Sequence, residues 1–160
     1  MKDGKTVAIV PGSFDPITYG HISLVKYASE KYDTVFLAVM INDQKKYMFT
    51  LEQRKSISAA CFQERENIEV ISSDGWLWML AKELGACAIV KGYRNQTDLE
   101  YEKKMAEFNE KHYPEAKTIL LQADDALVNL SSTSVRDLIN QGIEINDLIP
   151  QKALDVIKAL

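Results

Sequence analysis

Val7-Ala8-Ile9-Val10-Pro11-Gly12-Ser13-Phe14-Asp15-Pro16-Ile17-Thr18-Tyr19-Gly20-His21 joins an apolar run to a turn rich in glycine and proline, after which a helix-like pattern begins. A strand feeding a tight turn and then a helix is a geometry for holding phosphates. Glycines let backbone approach a ligand, and the unpaired N–H groups at a helix start face an anion. His21 adds a ring N–H donor that a purely structural turn would not need. The segment reads as a nucleotide site at the opening of an α/β fold.

Working outward, apolar runs alternate with helix-like segments, with no linker, internal repeat or low-complexity tract. Strands are expected at Thr6–Val10, Val35–Met40, Ile68–Ile71, Ala88–Val90 and Thr118–Leu121, each short and apolar as buried parallel strands are. Helices are expected at His21–Lys31, Leu51–Ala60, Gly75–Leu84, Asp98–Tyr113, Ser132–Asn140 and Pro150–Ala159. Thr50-Leu51-Glu52-Gln53 spells a capping box, Gly85 and Gly142 are C-terminal stops, and Pro150 suits a first helical turn. The repeated order predicts one domain over residues 1–160: a Rossmann-like, doubly wound, five-stranded parallel sheet with helices on both faces and a C-terminal helix. Ligands in such sheets bind beyond the carboxyl ends of the strands. The segments Gly12–His21, Asn42–Phe49, Ser72–Trp76, Lys91–Asp98 and Gln122–Ser132 all follow strands and could meet at that edge.

Composition narrows the function. The formal net charge of −4 argues against a general binder of nucleic acid or membrane surface, so basic groups must be gathered locally to hold a polyanion. Lys45, Lys46, Lys91 and Arg94 are the candidates. No apolar run approaches the ~20 residues of a membrane span. Met1-Lys2-Asp3-Gly4-Lys5 reads as a lead into a strand and not as a signal peptide. Cys61 and Cys87 are unclustered and form no zinc pattern; they read as buried thiols of a reducing cytoplasm. Gly4-Lys5-Thr6 resembles the end of a P-loop, but it precedes the first strand and has no room for the upstream glycine. No G-x-G-x-x-G follows a strand, so the dinucleotide fingerprint is missing.

Gly12-Ser13-Phe14-Asp15-Pro16 with Thr18-x-Gly20-His21 resembles the first signature of the nucleotidyltransferase superfamily. With the motifs below, the resemblance is to the bacterial phosphopantetheine adenylyltransferases, over essentially the whole chain. It implies that His21 contacts the α-phosphate of ATP and stabilises the pentacovalent transition state, by donating to oxygens that gain charge. Ser13 would hydrogen-bond phosphate, Phe14 would pack either beneath the site or in the core, and Asp15 fixes the turn as an Asx-type side chain.

Lys45-Lys46-Tyr47-Met48-Phe49 could be a solvated basic loop. The resemblance makes Lys45 a ligand of the reacting phosphates, able to follow charge as it moves. Tyr47 replaces a frequent proline and is expected to loosen the loop. Lys91-Gly92-Tyr93-Arg94 followed by Asp98-Leu99-Glu100-Tyr101-Glu102 reads as two cations around a glycine, then a helix with acid at its positive end. By resemblance Gly92, Tyr93 and Arg94 hold the nucleotide, Glu102 lies in its pocket, and Lys91 stands where an arginine binds the phosphopantetheine phosphate. Lys91 keeps that charge without the bidentate fork. Ser131-Ser132-Thr133 could be no more than an N-cap. By resemblance, its hydroxyls and helix-start N–H groups bind the β- and γ-phosphates, with Leu127, Val128, Asn129 and Leu130 cradling the nucleotide.

Trp76 and Trp78 are two apart on an expected helix and should point different ways, one to the core and one to a cleft or subunit contact. Leu77 matches a position lining the pantetheine arm. Arg136 reads as structural and His112 as a surface residue. The implied reaction joins ATP and 4′-phosphopantetheine to give dephospho-CoA and pyrophosphate, with Mg2+ carried by the nucleotide phosphates. No catalytic base is called for, because a phosphate monoester with a second pKa of about 6 is already largely ionised at neutral pH. The resemblance further implies a cytoplasmic homohexamer.

Overall fold

The structure, a computed structural model, describes residues 3–160; Met1 and Lys2, which open the segment read above as a lead into the first strand, lie outside the described residues. Along the chain run β1 (Val7–Gly12), α1 (Tyr19–Lys31), β2 (Thr34–Met40), α2 (Leu51–Ala60), β3 (Ile68–Ser73), α3 (Leu77–Leu84), β4 (Ala88–Tyr93), α4 (Gln96–His112), β5 (Lys117–Gln122), a single 3-10 turn (Asp125–Leu127), α5 (Ser132–Asn140) and α6 (Gln151–Lys158). All five expected strands form. They run up to three residues past their expected ends because parallel neighbours pair the backbone where apolar side chains have stopped. Lys91, Gly92 and Tyr93 lie opposite Leu120, Leu121 and Gln122, and Ser72 and Ser73 lie opposite Val39 and Met40.

The sheet is wholly parallel in the order β3-β2-β1-β4-β5. Alternation along β1 shows the two layers. Ala8 and Val10 face a core made with Val25 and Ala28 of α1, Ile57 of α2, Val135 of α5 and Leu154 of α6. Val7 and Ile9 face the opposite core, with Leu80 and Ala81 of α3 and, beyond α4, Tyr113. Each fully buried Ile or Val there contributes roughly 1.5–3 kcal/mol through removal from water.

Helix boundaries follow local chemistry. Thr50 and Gln53 form the expected reciprocal cap, at 3.1 and 3.0 Å. Gly85 ends α3 at φ +66°, which is where a left-handed residue without a Cβ is needed. Four starts differ from the sequence reading. Helix α1 begins at Tyr19 behind Thr18, two residues before His21. Helix α4 begins at Gln96, because Asn95 accepts the Asp98 N–H at 2.9 Å. Helix α3 begins at Leu77 and not Gly75, leaving Trp76 extended at φ −67° and ψ 139°. Pro150 precedes α6 instead of lying in its first turn.

Candidate active site

Sheet topology creates the site. The crossovers from β1 run outward through β2 and β3, and the later ones through β4 and β5, so the winding reverses between β1 and β4. β1 stays in register with β2 from Val7 to Gly12 but with β4 only at Ala8 and Ile9. The carboxyl ends of β1 and β4 therefore separate, which is where open α/β sheets take their ligands.

The first loop is held from several directions. Phe14 adopts φ +48°, a left-handed backbone costing about 1–2 kcal/mol for a residue with a Cβ. Burial of its ring, 2% exposed, offsets that cost. The ring folds beneath Gly12, where a Cβ would sit 3.0 Å from Phe14 Cζ, so this glycine makes room for a side chain as well as for any ligand. Asp15 does not cap its own turn, as the sequence reading had it. Its two carboxylate oxygens accept the N–H groups of Met48 at 2.9 Å and Phe49 at 3.0 Å, joining the loop after β1 to the loop after β2.

His21 occupies the third position of α1. Its Nδ1 accepts the Thr18 N–H at 3.0 Å, and its ring meets Phe14 edge-on with centroids 4.9 Å apart. Burial, and then the positive charge of Arg94, lower its pKa from 6.5 to about 4. The imidazole is thus neutral near pH 7. With Nδ1 used as an acceptor, the one ring proton must sit on Nε2. His21 is a neutral donor already oriented by backbone.

Ser13, Phe14, His21, Lys45, Ser132 and Thr133 line one cavity of about 380 Å³, together with Asp15, Lys46, Tyr47 and Arg136. Three cations face a single carboxylate there, in a chain whose net charge is negative. Lys45 Nζ lies 3.4 Å from Ser13 Oγ. Lys46, one of the basic groups expected to gather for a polyanion, also lines the cavity. Arg136 is structural as expected, donating to the Asp15 carbonyl at 2.9 Å, but it also lines the cavity.

The serine-threonine turn divides its roles. Ser131 Oγ caps α5 by accepting the Ser134 N–H at 3.0 Å, Ser132 Oγ donates to the Pro16 carbonyl at 2.8 Å, and Thr133 Oγ1 accepts from Arg136 at 3.1 Å. Ser131 and Ser132 spend their hydroxyl protons within the protein, on Ser134 Oγ and the Pro16 carbonyl, whereas Thr133 only accepts, so its O–H and the helix-start N–H groups are what the turn has to offer an anion. Leu127 lies in the 3-10 turn, and neither it nor Val128, Asn129, Leu130 or Ser131 lines the cavity.

Lys91, Gly92, Tyr93, Arg94, Glu102 and Leu77 also lie off the cavity wall. Lys91 and Glu102, expected on different substrates, form an ion pair of 2.6 Å, and Arg94 pairs with Asp98 at 3.2 Å. A Cβ on Gly92 would come within 3.3 Å of Leu24, so this glycine lets α1 close on β4. Arg94 remains near enough to His21 for its charge to depress the imidazole.

Two readings are corrected by packing. Trp76 and Trp78 do not diverge. Because Trp76 precedes the helix, both indoles turn toward α4, Trp76 against Phe108 (5.5 Å) and Trp78 stacked on His112 (5.1 Å). His112 is exposed, as read from sequence, and it also serves as an aromatic partner, its Nδ1 2.8 Å from the Phe108 carbonyl. Tyr47 tightens its loop instead of loosening it: its hydroxyl takes the Asn42 N–H at 2.8 Å and its ring lies 3.8 Å from the Arg54 guanidinium. Arg54 went unnoticed in the sequence. Its signal was a cation on the buried stripe Arg54, Ile57, Ser58 of α2, a position that demands partners.

The Cytidylyltransferase-like family profile matches residues 9–138. The chain is 41% identical over 151 residues to the phosphopantetheine adenylyltransferase of Alkaliphilus metalliredigens, covering 94% of this chain and 96% of that one. It is 39% identical to the enzyme of the same name from Flavobacterium psychrophilum, covering 90% and 95%. Among solved structures, a proposed nicotinate-nucleotide adenylyltransferase from Vibrio parahaemolyticus superposes with a TM-score of 0.67 at 20% identity, covering 96% of this chain and 99% of that one. At that identity the likeness is one of fold.

Proposed function

This chain belongs to the cytidylyltransferase-like family and, within it, to the phosphopantetheine adenylyltransferases, and from that premise we propose how its cavity transfers the adenylyl group of ATP to 4′-phosphopantetheine. A phosphate oxygen of the acceptor attacks the α-phosphorus, the bond from that phosphorus to the β-bridging oxygen breaks, and dephospho-CoA and pyrophosphate leave. The acceptor is already ionised at neutral pH, so the protein must align two polyanions and stabilise a pentacovalent phosphorus. One observation carries this reading: the neutral Nε2–H of His21 stands among Lys45, Lys46 and Arg136, beside the N-terminus of α5.

His21 donates to the α-phosphate oxygens as they gain charge. Lys45 bridges the reacting phosphates from the opposite loop, while Thr133 and Ser132 present N–H groups to the β- and γ-phosphates. Arg94, Gly92 and Tyr93 bound the nucleotide on the β4 side, with Leu127–Leu130 beyond. Lys91 takes the acceptor phosphate, which must compete with Glu102 for it, and Leu77 borders the pantetheine arm. Asp15 is the one carboxylate on the cavity wall and both its oxygens already hold N–H groups, so Mg2+ would ride on the triphosphate and neutralise the departing pyrophosphate. Among the described residues no helix is long and apolar enough to cross a membrane. Soluble substrates, a cytoplasmic setting and a homohexamer complete the proposal.

An assay with ATP, Mg2+ and phosphopantetheine that follows pyrophosphate tests it. His21→Ala should retain ATP binding while losing a factor of roughly 100–1,000 in kcat, as loss of an oxyanion donor does. Normal turnover by that variant would remove His21 from the mechanism.

A further inference from the structure

Arg54 is 2% exposed, yet none of the ion pairs among the described residues includes it. One terminal nitrogen donates to two carbonyls, Ser13 at 2.8 Å and Met40 at 3.1 Å, and Nε has no partner. The guanidinium face rests on Tyr47 at 3.8 Å. A buried cation without an anion is a costly way to seat a helix, and an apolar side chain would do it better. What a guanidinium supplies is a bracket. It grips the end of β2, the loop after β1 and the ring of Tyr47 at once.

Tyr47 closes the loop that carries Lys45. Its hydroxyl accepts the Asn42 N–H at 2.8 Å. Asn42 in turn accepts the Lys45 N–H on its carbonyl at 2.9 Å and the Gln44 N–H on Oδ1 at 3.0 Å. Residues 42–47 thus form a clasped ring with Lys45 on it. Its ammonium points toward Ser13, the residue whose carbonyl Arg54 holds. A lysine side chain loses up to about 2 kcal/mol of rotamer freedom when fixed, so anchoring its Cα shortens the search for phosphate.

We propose that Tyr47 and Arg54 are positioning residues for adenylyl transfer, acting through Lys45 by clasping residues 42–47 and bracketing them to the loop after β1. The proposal rests on the reading of Lys45 as a ligand of the reacting phosphates. The decisive experiment is a double-mutant cycle in the pyrophosphate assay, with thermal unfolding measured alongside. Tyr47→Phe keeps the ring on Arg54 and deletes only the clasp. It should lower kcat about fivefold, the worth of one hydrogen bond, with a melting temperature close to that of the parent. Arg54→Lys, which keeps the charge but loses the flat face and fork, should also lower kcat. In a Lys45→Ala background both effects should shrink below about twofold, because the group being positioned is gone. Equal factors in both backgrounds, or an unchanged kcat for Tyr47→Phe where Lys45→Ala is slow, would overturn the positioning role alone. A Lys45→Ala enzyme at full rate would overturn the Lys45 reading and the clasp with it.

Discussion

At the residue scale the proposed chemistry turns on one neutral imidazole. A histidine lowered to about 4 by burial and by Arg94 binds a proton less readily folded than unfolded. Between pH 6.5 and 4 the unfolded chain therefore holds the extra proton, and stability falls as pH drops through that window. Replacing His21 with Gln removes the titration. The stability lost by the parent between pH 7 and pH 4.5, beyond that lost by His21→Gln, should be positive when both are unfolded by urea at each pH. Parallel curves would mean that His21 titrates normally. The position of His21 in the turn after the first strand marked it from sequence, and the family resemblance marked Ser13 and Lys45; all three line the cavity because their segments lie next to strand ends. The sequence reading misassigned Asp15 and Tyr47, whose partners Phe49 and Arg54 are chosen by contacts that no spacing reports, and it passed over Arg54 altogether.

At the scale of elements, caps decide what each helix start can offer. The first turn of α5, whose Ser132 and Thr133 line the cavity, is fixed by a reciprocal cap: Ser131 holds the Ser134 N–H and Ser134 returns a contact of 3.1 Å to the Ser131 N–H. Ser131→Ala should therefore act through folding. It should cost about 1 kcal/mol, a fall of about 3 °C in Tm for a chain this size. The KM for ATP should stay near the parent value. Unchanged Tm with a sharply raised KM would make Ser131 a phosphate ligand instead of a cap. Capping at Thr50 was readable because both partners lie within four residues. The start of α3 was not: Trp76 is extended so that its indole reaches Phe108, a preference set by a different helix.

Across the whole molecule, an acidic chain must draw two polyanions into one crevice. Lys45 and Lys46 after β2 and Arg136 of α5 are gathered around one cavity, where the low-dielectric walls of the cleft focus their field, in a chain whose net charge as a whole is −4. Raising ionic strength from 0.05 to 0.5 M should lower kcat/KM for ATP more than it lowers kcat, as screening shortens below the ~10 Å reach found at 0.1 M. A rise in kcat/KM with salt would show that the overall negative charge governs the encounter. Sequence alone determined the strand-helix alternation, the parallel sheet and the loops after β1 and β2 that line the cavity, because periodicity, caps and glycine stops act over a few residues. Tertiary structure alone decided that the Ser132 hydroxyl is already engaged with Pro16, that Lys91 is paired with Glu102, and that Arg54 brackets the Lys45 loop. Those outcomes depend on which atoms meet across the sheet edge, and only the closed fold sets such distances.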